Sequence, residues 1–210
     1  MSMMTRDLFV AELDNLVDYL QLRELGFFVL GQGRGGILAG AYASRRPKGL
    51  RKLIIAGGPV GMPLYSEGCK HLSQLPPGVR YTVERYERKG DCDSEEFQKA
   101  NAAFFARHSY KLDPLPDPAK AVFDHLREDL TLSHYGLTGL FRRGTFKFII
   151  VGSFKDWEPW KEAHNIQVET LLFNGDRAEV MGRCIELWLK SIAKVKWVTL
   201  SNTSRMAHWE

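Results

Sequence analysis

Cysteine is scarce in this chain: Cys69, Cys92 and Cys184 are the only three among 210 residues, and they lie far apart. They form neither an even disulfide set nor a metal-ligand spacing, so three free thiols in a reducing compartment are expected. No stretch of about 18 apolar residues occurs, and Met1 to Asp7 lacks the apolar core of a secretory leader. The sequence therefore reads as a cytoplasmic protein without a membrane span. Runs of like charge are missing as well. The net charge is +4, and the basic residues are scattered, densest at Arg45-Arg46, Arg51-Lys52 and Arg142-Arg143. With no aromatic-interleaved basic stripe, a solvated surface is expected and a nucleic-acid partner is not. Internal repeats and low-complexity segments are absent. His71, His108, His125, His134 and His164 share no metal spacing, so neither a metal nor a cofactor is expected.

What is present suits one domain with a real core: 44% of residues are hydrophobic and 26% charged. Leu8, Phe9, Leu13, Leu16, Val17 and Leu20 fall at helical spacing, with Thr5 as N-cap and Asp7 in the first turn, predicting a helix over Arg6 to Leu20. Phe27 to Leu30 is a short continuous apolar run, the pattern of a strand buried on both faces of a parallel sheet. A glycine-rich turn follows, then a helix over Ile37 to Ser44 that Pro47 stops, then a second buried strand at Leu53 to Ala56. This alternation predicts an α/β fold with a doubly wound parallel sheet. From Val60 to about Trp160 the texture changes to proline-rich turns and helix-like stretches. Glu95 to His108 is the clearest, with a stripe of Phe97, Ala100, Phe104 and Phe105. Strand character returns at Thr170 to Phe173, followed by a helix over Glu179 to Ala193 and a last strand at Val195 to Leu200.

The turn Gly31-Gln32-Gly33-Arg34-Gly35-Gly36 has three readings. As a dinucleotide fingerprint its glycines fit formally, but the acid expected about 20 residues later at a strand end is absent. As a nucleophile elbow, G-x-S-x-G, it has Gly31, Gly33 and Gly35 at the three pattern positions, with Gly33 where the serine belongs. The third reading is a plain tight turn that needs glycine for positive φ.

Further segments bear on this choice. Leu8–Asn15, the Leu30–Gly36 turn, Pro47–Ala56, Met62–Leu64, Arg107-His108, Leu112–Pro114, Gly152–Trp157, Thr170–Gly175 and Lys194–Thr199 together resemble the proline iminopeptidases, most of all those of fungal type. The resemblance runs in order along nearly the whole chain. It implies an α/β-hydrolase fold with a helical cap inserted after the sixth strand. The expected divisions are 1–59 for the N-terminal part of the hydrolase core, 60–160 for the cap and 161–210 for the C-terminal part. The family's oxyanion-hole loop and first strands would lie upstream of this chain, and its closing helix beyond Glu210. The resemblance thus implies a partial hydrolase fold with later strands only, a bare edge at Phe27 to Leu30, and self-association through that edge.

Members of the family cleave N-terminal proline from peptides with a Ser-Asp-His triad, and glutamates in their cap bind the substrate amine. Carried over residue by residue, the serine falls on Gly33, the acid on Ala178 and the histidine on Arg205. The tryptophan that usually follows the serine is Arg34. One cap glutamate matches Glu87; the second falls on Lys147, a reversed charge. Asp176 and Glu179 flank the position of the lost acid, and His208 lies three residues beyond that of the histidine. Ser44 reads as a helix-end residue, Ser153 as part of a turn, and Trp157 and Trp160 beside Asp156 as packing under the cap. The expectation is a proline iminopeptidase-like hydrolase homologue without serine-hydrolase activity. A second reading is a repurposed pseudo-hydrolase that binds or processes a proline-bearing small metabolite, as in fungal secondary metabolism, its partner a peptide or small molecule. A third is an active N-terminal proline aminopeptidase.

Overall fold

The computed structural model describes residues 5–70, 76–89, 94–108, 111, 114–128, 154–180 and 182–210. Lys147, Ser153, His71, His134, Cys92 and Arg142-Arg143 lie outside the described residues, as do the side chains of Glu87, Cys69, Phe104 and Phe105.

Helix α1 (Arg6–Tyr19) begins as its sequence predicts: the Thr5 hydroxyl accepts from the Leu8 amide at 3.2 Å, and Asp7 sits in the first turn. One further turn, α2 (Leu22–Leu25), ends at Gly26, whose φ of 79° is open to glycine at little cost. Strand β1 (Phe27–Gln32) leads through Gly33 into α3 (Arg34–Ser44), and β2 (Leu50–Ala56) follows. Four helices come next: α4 (Met62–Lys70), α5 (Pro77–Lys89), α6 (Glu95–His108) and α7 (Asp117–Glu128). After a 3-10 segment at Pro159–Asn165 the chain returns to the sheet with β3 (Glu169–Gly175), α8 (Arg183–Ser191) and β4 (Val195–Leu200).

The four strands among the described residues are all parallel, in the spatial order β1-β2-β3-β4. Register places Val29, Leu53, Thr170 and Val195 in one row, and Gly31, Ile55, Leu172 and Trp197 in the next row on the same face. That face is the core. Ile37 and Ala43 of α3, Ile185 and Trp188 of α8, and Ala163 and Ile166 at the 3-10 segment pack on it in a single buried cluster with Leu53, Ile55 and Leu172. Trp188 is fully buried; its ring lies against Gly40 of α3, and its Nε1 donates to the Gly58 carbonyl at 3.2 Å. A side chain of this kind contributes about 3–5 kcal/mol against truncation to alanine.

The expectation of strands buried on both faces, in a doubly wound sheet, holds for one face only. Side chains alternate across a strand, so Phe28, Leu30, Leu171 and Val198 point away from the helices. Phe28 is 65% exposed and Leu30 59%. The exposed row also carries Lys52 and Glu169, which pair at 2.8 Å. Among the described residues no helix packs there, and β1 is an edge of the sheet.

The apolar stripe of α6 is partly confirmed: Phe97 and Ala100 are buried in the same core cluster. Tyr86 of α5 meets the Phe97 ring at 6.5 Å and donates its hydroxyl to Glu96 at 2.6 Å. Phe154 meets the Phe9 ring of α1 edge-on at 5.5 Å and the tilted Trp157 ring at 5.0 Å, so Trp157 packs against the core. Ser44, at the end of α3, donates back to the Gly40 carbonyl at 2.9 Å. No helix among the described residues is long and apolar enough to cross a membrane.

Asp14 of α1 ties three elements together. It accepts from Arg23 Nη2 at 2.8 Å and from the Tyr42 hydroxyl of α3 at 2.9 Å, while Arg23 also pairs with Asp18. The Arg23 guanidinium holds the Asp14 carboxyl below the usual carboxylate range, against the opposing effect of burial. A carboxylate depressed in the folded state adds stability that is complete above its ordinary pKa and is lost as pH falls through the folded value. Denaturant melts between about pH 5 and pH 2 should therefore show a shallower acid loss in Asp14→Asn than in the parent chain. Equal slopes would contradict this role for Asp14.

Candidate active site

The strand-to-helix bend at Gly33 is the centre of the site. Gly33 has φ 54° and ψ −117°, a conformation that L-residues adopt only with strain. Its amide donates to Ala56 at the end of β2 at 2.9 Å, and its carbonyl accepts from Gly36 at 3.0 Å, which starts α3. The bend is tight enough that a Cβ on Gly31 would lie 2.2 Å from the Gly35 carbonyl oxygen, so the neighbouring backbones pass only because Gly31 has no side chain. Of the readings open for this turn, the backbone is that of a nucleophile elbow, with glycine at its apex.

Two loops converge on the bend. The loop after β3 carries Asp176, Arg177, Ala178 and Glu179; the loop after β4 carries Thr203, Ser204 and Arg205. They are joined by the Arg177 amide donating to the Thr203 carbonyl at 3.0 Å. The last residue of α6 clamps both. The His108 carbonyl accepts from the Arg205 amide at 3.1 Å, and the His108 ring donates from Nδ1 to the Arg177 carbonyl at 2.8 Å. His108 is thus a buried, hydrogen-bonded structural histidine.

The Arg205 side chain reaches over the bend. A Cβ built on Gly33 would lie 2.8 Å from Arg205 Nη2, so the guanidinium stands where a side chain at residue 33 would begin. Its Nη1 pairs with Glu179 at 3.2 Å; Glu179 is only 3% exposed and Arg205 27%. Removing one partner of so buried a pair costs about 3–5 kcal/mol, because the other charge is stranded. The pair therefore fixes Arg205 in place. Arg34, half-buried at the start of α3, supplies a second cation. Burial first, and Arg205 second, push its pKa down to about 10, which leaves it charged at neutral pH.

The structure thus brings together Gly33, Arg34, Arg205 and Glu179, with Ala178 buried next to Glu179 in the same loop. Of the two acids flanking Ala178, Glu179 reaches the site and Asp176 does not: the Asp176 carboxylate accepts from the Asn202 amide at 3.0 Å and shapes the turn after β4. His208 packs against the rings of Phe173 and Trp209, and burial lowers its pKa. Glu87 lies on α5. The helix expected from Glu179 begins four residues later, at Arg183. The carboxylate of Glu179 is turned to Arg205, and Gly182 takes φ 55° just before the first helical turn. The clamp by His108 has no signal in the sequence, since it joins residues far apart in the chain.

A cleft of about 390 Å³ lies elsewhere, against α1 and the C-terminal end of α3, between Arg6, Val10, Arg45, Asp156 and Trp157. Its Asp7 and Arg45 pair with each other at 2.7 Å, and none of the bend residues lines it. Among the described residues, no group of three His, Cys, Asp or Glu side chains could hold a metal ion. Chemically, the bend gathers two guanidinium groups and one carboxylate; Gly33 offers no attacking atom.

A sheet of four parallel strands with a glycine-apex bend and helices packed on one face is the frame of an α/β-hydrolase, and the comparisons agree. The crystal structure of VinJ superposes with a TM-score of 0.89 at 31% identity over 98% of this chain and 68% of that one. A proline iminopeptidase of Mycobacterium smegmatis superposes at 0.86 with 28% identity, over 97% of this chain and 66% of that one. The chain is therefore an α/β-hydrolase by fold. A proline iminopeptidase of Saccharolobus solfataricus is 31% identical over 183 residues, 87% of this chain. Within the α/β-hydrolases, the chain is similar to proline iminopeptidases. It spans 57% and 60% of the lengths of the archaeal relatives from Saccharolobus solfataricus and Thermoplasma volcanium, under two thirds of each. No protein-family model matches.

Because glycine relieves the strain of this bend, Gly33→Ser should lower stability by about 1–3 kcal/mol. Denaturant unfolding measures it; a variant as stable as the parent would contradict the strain.

Proposed function

We propose that this chain is a proline iminopeptidase-like α/β-hydrolase homologue without serine-hydrolase activity. The observation that carries the reading is the bend at Gly33: its apex has no side chain, and the Arg205 guanidinium occupies the space next to it. In this architecture acyl transfer starts with an oxygen at the apex attacking the carbonyl, a histidine taking its proton and an acid orienting that histidine. On this reading Gly33 stands at the nucleophile position, Arg205 at the histidine position and Ala178 at the acid position. The three substitutions are consistent with one another. An arginine stays protonated at neutral pH and cannot serve as the general base. Alanine cannot orient an imidazole. In a subtilisin-type protease, loss of the serine alone costs about a millionfold in kcat.

Glu179 supports the same reading. A carboxylate in this loop pairs with the cation that stands at the base position, so the old polar network is kept as an ion pair and is no longer a proton relay. The charge beside the bend is also altered, with Arg34 next to Gly33 and Arg205 above it. A protonated proline amine, the group that the family's substrates present, would meet two guanidinium groups there.

The test is an assay of the purified chain with a prolyl anilide. Release of the anilide should match the buffer rate, for the parent and for Gly33→Ser alike, since a serine without base and acid gains little. Turnover by the parent chain, abolished by substitution at any residue of the bend, would overturn the proposal.

A further inference from the structure

We propose that the cleft between α1, the C-terminal end of α3 and the 3-10 segment binds a small organic monocation, an amine with an apolar body. This inference goes beyond the preceding reading and does not rest on it, since none of the bend residues lines the cleft.

The cleft holds about 390 Å³, the size of a small-molecule pocket. Its walls belong to the packed frame. Val10 of α1 is buried, and so is Pro159 at the start of the 3-10 segment. Trp157 is held by the Phe154 ring at 5.0 Å and by the Met62 amide, which donates to the Trp157 carbonyl at 2.9 Å. With Ala41 of α3 these side chains form an apolar lining, so the cleft is pre-formed and an apolar group that enters it leaves water.

Charge decides the ligand class. Four carboxylates, Asp7, Asp156, Glu158 and Glu162, line the cleft against three bases, Arg6, Arg45 and Lys161. Two pairs are already formed. Asp7 accepts from Arg45 at 2.7 Å; Glu158 pairs with Lys161 at 2.5 Å and accepts from the Trp160 indole at 3.3 Å. Lys161 accordingly holds the Glu158 carboxyl below its ordinary range. Asp156, Glu162 and Arg6 are left, and none of the three has a hydrogen-bond or ion-pair partner among the described residues. Two carboxylates against one guanidinium leave the cleft one negative charge in excess. A single ammonium balances it, through charge-assisted bonds about twice as strong as neutral ones. An anion meets the excess charge unfavourably, and a neutral isostere forgoes the attraction. The Trp157 indole in the same wall suits a cation as well as an apolar group.

The experiment titrates the full chain at neutral pH and constant ionic strength with benzylamine and n-butylamine, both protonated there, and with benzyl alcohol and sodium benzoate as neutral and anionic controls. NMR shifts of the Val10 and Ala41 amides and of the Trp157 indole N–H report the cleft; those of Gly33 and Gly35 report the bend and should not move. Saturable shifts are expected for the two amines, with a Kd of about 1 mM, and none for the controls. Asp156→Asn and Glu162→Gln should each weaken binding about tenfold, the loss of one charged hydrogen bond. Arg6→Gln removes the opposing charge and should tighten binding about twofold. All three side chains are exposed, so the variants should melt with the parent chain; if one carboxylate variant melts early, the other carries the test. No saturation for either amine overturns the site. So does equal binding of benzyl alcohol, or amine binding undiminished in both carboxylate variants.

Discussion

The ion pair between Arg205 and Glu179 is the contact on which the bend depends. It joins the loop after β4 to the loop after β3 and sets a guanidinium against the apex of the strand-to-helix turn, where only glycine leaves room for it. The pair is nearly closed to water on the Glu179 side, so its Coulombic attraction is little screened and its disruption strands a buried charge. His108, at the end of α6, then locks both loops through its carbonyl and its ring. The three contacts bind the helical segment and both loops to the end of the sheet where the strands run out.

The sheet supplies the rigid frame for this. All four strands are parallel, and their C-terminal ends lie together, so β1, β3 and β4 deliver Gly33, Glu179 and Arg205 to one rim. In open α/β sheets that rim is where ligands sit, whatever the chemistry. The core face that carries Leu53, Ile55 and Leu172, with Trp188 of α8 packed on it, holds the rim in place. On the proposed reading fold and activity are separable, because a bend retains its shape when glycine occupies its apex, and retains it with less strain.

Much of this was legible from residues alone. Short apolar runs at Phe27, Leu53, Thr170 and Val195, alternating with helical patterns, specify a parallel sheet, and the glycine spacing marks the bend. Thr5 and Asp7 fix the start of α1 through local chemistry. What was not legible lies in long-range contacts. Nothing in the order of residues says that Phe28 and Leu30 face away from the helices while Phe27 and Val29 face them, since all four are apolar. The chain turns at Gly182, with φ 55°, just before the first helical turn, so α8 starts at Arg183 and not at Glu179. The residue types Gly33, Ala178 and Arg205, at the positions the proposed reading assigns to the triad, could be read off directly. That Arg205 folds over Gly33, and that Glu179 rather than Asp176 meets it, needed coordinates.

On the account proposed here, this protein keeps the frame of a proline iminopeptidase and holds a cation where the nucleophile would act. The most direct measurement is covalent labelling of the full chain with a fluorophosphonate that captures activated serines, read by peptide mass spectrometry. The account predicts no labelled serine. A single serine labelled in stoichiometric amount would mean that a nucleophile is poised somewhere in the fold, and would contradict it.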